Sequence, residues 1–276
     1  MKRTRILWGW IAACSLLSTG VLVTGLGIVI SDMLIAPAVL AQRPAPDGTS
    51  QPPPGHEASL ADLKEIRIVA LGDSLTKGTG DETGKGYVQH VTDGLKKKYD
   101  KPVQVLNNLA VNGMQASELV ERLSEDSGYQ YAVKQANLIL FTIGGNDLFL
   151  SARARMAQKE WKTLGVDGLA QGIEEALERF RRIADTLHRM NPAAKVVYMG
   201  LYNPFYDLDN LRGASISMQE WNTRAYAAIH PYPNMMMVPT FDLFEGRIGD
   251  YLSSDHFHPN RKGYERIAGR MLESLD

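Results

Sequence analysis

Five short apolar runs punctuate the chain beyond residue 60: IRIVAL (66–71), VQVLNNLA (103–110), NLILFTIG (137–144), KVVYMGL (195–201) and NMMMVPT (234–240). None alternates strictly between apolar and polar positions. A strand with one wet face alternates, so near-continuous runs point to strands covered on both faces, as in a parallel sheet between helical layers. Between the runs the period changes to steps of three and four. The change is clearest over 169–190, where Leu169, Ile173, Leu177, Phe180, Ile183, Leu187 and Met190 share a helical face until Asn191-Pro192 stops it. Residues 218–229 and 260–273 are likewise amphipathic. Strand–helix alternation of this kind predicts the α/β class: a three-layer α/β/α sandwich around a parallel five-stranded sheet.

Ahead of this pattern the chain reads differently. Lys2, Arg3 and Arg5 precede the uncharged run ILWGWIAACSLLSTGVLVTGLGIVI, from Ile6 to Ile30. The run exceeds the about 20 residues a helix needs to cross a bilayer, and also the about 7–15 apolar residues usual in a cleaved signal peptide. Residues 1–31 therefore read as an uncleaved membrane-spanning anchor, with the basic end in the cytoplasm and the rest of the chain outside. Two alternatives stay open. AVLAQ (38–42) offers a small-residue cleavage site after Ala41, which would yield a secreted protein, and IAAC (11–14) resembles a lipoprotein box. Residues 32–59 read as a linker. Its part QRPAPDGTSQPPPGHEAS (42–59) is proline-rich and nearly devoid of large apolar side chains, so it predicts an extended, semi-stiff spacer. The folded domain is expected over 60–276.

Composition narrows the partners. The 276 residues are 44% hydrophobic and 22% charged, with a formal net charge of −1, as expected of one sizeable globular domain with an appendage. A near-neutral chain gives no reason to expect nucleic acid. Cys14 is the only cysteine, so no disulfide forms within the chain.

In open parallel sheets the segments that follow the strands gather along one edge, where ligands bind. Four polar or glycine-containing turns fall there: Gly72-Asp73-Ser74 after the first run, Asn112-Gly113 after the second, GGND (144–147) after the third, and DHFHP (255–259) before the last helix. Each has a purely structural reading. Ser74 resembles a helix cap, Asn146 a turn residue and Gly113 a turn glycine. Each also has a chemical reading: a nucleophile at Ser74, an amide donor to an oxyanion at Asn146, a main-chain donor at Gly113. His258 follows Asp255 by three residues, close enough for the carboxylate to orient an imidazole base. His256 raises a metal reading, but no cluster with zinc-ligand spacing accompanies it, and no metal is expected. The serine lacks the G-x-S-x-G elbow. KGTGDETGKG (77–86) lacks phosphate-loop spacing and reads as a flexible loop leading into a helix near Tyr87.

Together, in this order, the four blocks resemble the SGNH hydrolases, also called the GDSL-type esterase and acylhydrolase family, over roughly residues 65–273. GDSL carries the family's serine at Ser74. Gly113 in NNLAVNGMQAS matches its glycine block, Asn146 its asparagine block, and Asp255 with His258 its D-x-x-H-P block. Ala110 departs from a second glycine common in relatives. The resemblance implies a flavodoxin-like fold and carboxylic-ester or thioester hydrolysis through an acyl-enzyme, without metal or organic cofactor. It implies Ser74, His258 and Asp255 as catalytic residues and Ser74, Gly113 and Asn146 as the oxyanion hole. Substrate is less determined, with a lipid-like or short-chain acyl ester favoured. LFLSARARMAQKEW (148–161) and YNPFYDLDN (202–210) are expected to shape its pocket. Arg153 and Arg155 would suit an anionic amphiphile, while Tyr202 and Phe205 would suit a sugar as well. Alternatives are a deacetylase or acyltransferase on O-acetylated cell-wall polysaccharide, or a non-catalytic tethered binding protein.

Overall fold

The structure, a computed structural model, describes residues 59–149, 166–209 and 212–275. The expected anchor over 1–31 and nearly all of the linker lie outside these residues, as do Arg153 and Arg155. Among the described residues no helix is long and apolar enough to cross a membrane.

In chain order the elements are β1 (Ile66–Gly72), α1 (Ser74–Lys77), α2 (Gly86–Tyr99), β2 (Val103–Asn108), α3 (Ala116–Glu125), α4 (Ser127–Gln135) and β3 (Leu138–Thr142). There follow α5 (Val166–Met190), β4 (Lys195–Met199), α6 (Ala214–Ile229), β5 (Met235–Val238), α7 (Phe241–Phe244), α8 (Ile248–Tyr251) and α9 (Arg261–Ser274). The five strands form one sheet in the order β2-β1-β3-β4-β5, and every pair is parallel. The expected class and strand number are both observed.

Successive residues of a strand face opposite sides of the sheet, and the two apolar cores follow that alternation. Val69, Leu71, Ile139, Phe141, Val196 and Tyr198 pack with α3–α6 on one side. Ile68, Ala70, Leu138, Leu140, Val197 and Met199 pack with α2 and α9 on the other. Strands covered on both faces need no polar positions, which is why β3 is buried at every residue. The edge strand β2 departs from the expected burial, since Gln104, Asn107 and Asn108 are exposed. An edge strand has a neighbour on one side only.

The chain leaves β1 outward to β2, then returns to lay β3 on the other side of β1. That reversal opens a crevice beyond the carboxyl ends of β1 and β3, the switch point at which such sheets bind ligands. The segment 77–86, expected to be a flexible loop, is instead tied down by one side chain. Asp81 accepts from the Thr83 amide at 2.8 Å, the Thr83 hydroxyl at 2.7 Å and the Gly86 amide at 2.9 Å.

Candidate active site

Ser74 lies where β1 ends against β3. Gly72, the last residue of β1, has φ +112°, and any side chain there would collide with the Thr142 carbonyl oxygen of β3. Glycine is required for the strand to end this close to its neighbour. Asp73 then caps α1, its Oδ1 accepting from the Leu75 amide at 3.0 Å. Capping therefore falls to Asp73, and Ser74 is the first residue of the helix rather than its cap.

Beneath the serine runs a buried polar chain that sequence reading did not find. The Thr142 hydroxyl donates to Asp73 Oδ1 at 2.6 Å. A hydroxyl has one proton to give, so Thr76 Oγ1, 2.8 Å from Thr142 Oγ1, donates to it and accepts in turn from Tyr87 OH at 2.7 Å. Burial raises the Asp73 carboxyl above its ordinary range, opposed by the Thr142 hydroxyl, the Leu75 amide and nearby His258. The signal in sequence was only a few scattered hydroxyls, which become a chain once β1, α1, α2 and β3 pack.

The DHFHP loop brings the histidine over the serine. His258 Nε2 lies 2.8 Å from Ser74 Oγ, and His258 Nδ1 lies 2.6 Å from Asp255 Oδ2. Asp255 is itself held by its own loop. Its Oδ1 accepts from the Ser253 hydroxyl at 2.7 Å, the His258 amide at 2.9 Å and the Phe257 amide at 3.0 Å. Partial burial pushes its carboxyl upward, but the hydrogen bonds from His258, Ser253 and the two amides outweigh it and hold Asp255 well below the usual carboxylate range. The carboxylate thus stays charged beside the imidazole. His256 turns elsewhere: its backbone is left-handed at φ 56°, and its Nε2 lies 3.1 Å from Asp207 Oδ2. The two histidines address different carboxylates. Among the described residues no group of three or more His, Cys, Asp or Glu side chains gathers with metal spacing.

The segments bearing Gly113 and Asn146 meet through the residues beside Gly113. The loop bearing Gly113 runs along the end of β1, where the Val111 amide donates to the Gly72 carbonyl at 2.8 Å. Gly113 has φ +80°, yet open space surrounds the position of an added side chain. Backbone conformation, not crowding, calls for glycine there. Asn146 lies in the first turn of a helix that opens at Gly145. Its Nδ2 donates one hydrogen to the Met114 carbonyl at 2.9 Å, which orients the amide and leaves a second N–H on the same nitrogen. The next residue joins the same two segments, since Asp147 Oδ2 accepts from the Ala116 amide at 3.0 Å. Burial pushes the Asp147 carboxyl up to about 6, against the pull of the Ala116 amide and Arg179.

A small cavity opens beside Ser74 and Asn146. Phe149 and Phe257 stand among its walls with Leu201, Tyr202 and Met218. Tyr202 presents its ring to the cavity, but its hydroxyl donates to the Phe257 carbonyl at 2.8 Å rather than pointing inward. Phe205 reaches the site through ring contacts with Phe149 at 5.4 Å and Phe257 at 6.0 Å. Phe149 falls in the segment 148–161 expected to shape the pocket, whereas Phe257 and Met218 were not singled out as pocket residues, because isolated apolar residues look like any other core position.

A serine, an imidazole, a carboxylate and oriented N–H donors in this arrangement can remove a hydroxyl proton and stabilise an oxyanion. The profile of the GDSL-like lipase/acylhydrolase family matches residues 70–266, a span that contains all four turns. The chain belongs to this family. It is 32% identical over 253 residues to the Bacillus subtilis uncharacterized protein YpmR, covering 90% of this chain and 94% of that protein. It is 28% identical over 212 residues to the spore germination lipase LipC of Bacillus licheniformis, covering 75% of this chain and 94% of LipC. In structure it resembles the lipase Lip_vut3 from a goat rumen metagenome, with a TM-score of 0.63 at 23% identity over 76% of this chain and 97% of that one. This GDSL-like chain therefore shares the α/β fold of a structurally characterised lipase.

Proposed function

We propose that this protein is a serine carboxylic-ester hydrolase that works outside the cytoplasm, tethered by the apolar run of residues 6–30. One observation carries the chemistry: the unbroken line Ser74 Oγ, His258 Nε2, His258 Nδ1, Asp255 Oδ2, with contacts of 2.8 and 2.6 Å. In this reading Ser74 Oγ attacks the ester carbonyl carbon as its proton passes to His258 Nε2. Asp255 keeps the Nδ1–H tautomer and offsets the charge of the imidazolium. The carbonyl oxygen, now negative, accepts from the Ser74 and Gly113 amides and from the second hydrogen of Asn146 Nδ2. His258 then gives its proton to the departing alkoxide, leaving an acyl-serine. Water repeats the sequence: its proton goes to His258, its oxygen to the acyl carbon, and the proton returns to Ser74 Oγ as the acid departs. The substrate class is a lipid-like or short-chain acyl ester.

The test is covalent. A fluorophosphonate probe should label Ser74 in the full-length protein, and Ser74→Ala should abolish both labelling and ester hydrolysis. His258→Ala should reduce kcat by about 10⁴-fold or more, and Asp255→Asn by less, since orienting a base matters less than supplying one. Full hydrolysis by Ser74→Ala would overturn the reading.

A further inference from the structure

We propose that the cavity beside Ser74 is the acyl site and that it admits an acetyl or propionyl group but no longer chain. This rests on the ester-hydrolase reading above and narrows its substrate class.

The first question is which half of an ester the cavity holds. The acyl half stays bonded to Ser74 through both steps, whereas the alcohol must leave between them. A fitted recess suits the half that stays. The alcohol oxygen must lie near His258 Nε2 to receive its proton, whereas the carbonyl oxygen is addressed from Ser74 and Asn146, both of which line the recess. Buried Leu201, Tyr202 and Met218 wall the recess.

Size sets the limit. The cavity volume is ≈ 20 Å³, little more than the about 10–15 Å³ that one water requires. One or two carbons beyond the carbonyl fill it. Among the described residues the side chains lining it are hydrocarbon apart from Ser74 and Asn146, which address the carbonyl, the phenol of Tyr202, which bonds to Phe257, and buried Asp73, whose Oδ1 is engaged by Thr142 and Leu75.

The back wall is held in place by bonds outside the cavity. Asn222 of α6 clamps the main chain of Leu201 from both sides, accepting from its amide at 2.8 Å and donating to its carbonyl at 2.7 Å. The Tyr202 ring is fixed at one end by its bond to Phe257 and along its face by Phe244, stacked at 4.0 Å between centroids. Met218, fully buried on α6, is the unbranched, flexible member of the wall. Shortening it is the change that deepens the recess.

The experiment compares kcat/KM of the full-length protein on p-nitrophenyl acetate, butyrate and octanoate. The wild type should favour acetate over octanoate by at least about 100-fold, since one methylene too many in a fitted pocket costs about 10–200-fold. Met218→Ala should improve butyrate relative to acetate by at least about tenfold. Should melting curves show that this variant does not fold, Met218→Val makes the same comparison with a smaller void. Octanoate hydrolysed as efficiently as acetate by the wild type overturns the proposal. A steep acetate preference unchanged in a folded Met218 variant overturns the assignment of the limit to the back wall. No hydrolysis of any ester, with Ser74 unlabelled by fluorophosphonate, overturns the hydrolase reading and this inference with it.

Discussion

The Tyr202 hydroxyl donates to the main-chain carbonyl of Phe257 at 2.8 Å, joining the segment that follows β4 to the residue before His258. The loop that carries His258 is thereby pinned to the segment that leaves the sheet. Tyr202→Phe removes that donor and keeps the ring that lines the cavity. Losing one hydrogen bond costs about 1 kcal/mol, which in a domain of this size lowers Tm by about 2–4 °C. Because the imidazole loses an anchor while the cavity wall stays, kcat should fall several-fold with KM little changed. A variant with wild-type Tm and kcat would show that the bond does not position His258.

Asn146 separates an oxyanion donor from a turn residue by its kinetics. An interaction made only as charge develops on the carbonyl oxygen lowers kcat and spares KM when removed. Asn146→Ala should therefore reduce kcat by about 10²–10³-fold. Asn146→Asp should be at least as damaging, because a carboxylate lacks the N–H donors and repels the oxyanion. A stable Asn146→Ala protein with near-normal kcat would leave the oxyanion to the two main-chain donors.

Asp147 should make stability depend on pH in an unusual direction. Its folded carboxyl is raised to about 6, above an unfolded value of about 3.9. Between these values the folded state binds the extra proton, so stability falls as pH rises through the window and the penalty is complete above about pH 6. At about 1.4 kcal/mol per pH unit the effect amounts to at most about 3 kcal/mol. Asp147→Asn keeps an oxygen for the Ala116 amide and removes the titration. Melting curves from pH 4 to 7 should show a wild-type decline, relative to Asp147→Asn, confined to that window. Parallel curves would show that Asp147 titrates normally.

The N-terminal run makes a prediction about location. If residues 6–30 span the membrane uncleaved, the protein should sediment with membranes carrying its original N-terminus. Protease added outside intact cells should cut within residues 42–59. Mature protein beginning at Gln42 in the medium would favour a cleaved signal peptide instead.

Much of this molecule is written locally in the chain. Buried strands in a parallel sheet need continuous apolar runs, and amphipathic helices need apolar steps of three and four. IRIVAL, NLILFTIG and KVVYMGL therefore declare β1, β3 and β4, and 169–190 declares most of α5, without reference to anything distant. The four turns were legible for a similar reason. Gly-Asp-Ser, Gly-Gly-Asn-Asp and Asp-His-Phe-His-Pro each combine tight backbone geometry with reactive side chains, and their order along the chain carries the family resemblance. The bond from Asp255 to His258 spans three residues and belongs to that same local class.

What only the tertiary structure decided lies between segments far apart in sequence. Ser74 and His258 are separated by 184 positions, and no local pattern states that they touch at 2.8 Å. The chain of Asp73, Thr142, Thr76 and Tyr87 exists because β3 lies beside β1, and Asn146 is aimed because the Met114 carbonyl lies across the crevice. The same holds for the cavity. Phe149, Tyr202, Met218 and Phe257 come from four segments, and apolar residues carry no mark of whether they fill a core or line a void. Packing makes that distinction, because it depends on which atoms are missing from the space between them. Sequence specifies the elements and the reactive groups through short-range sterics and periodicity. The distances that make them a site arise from long-range packing.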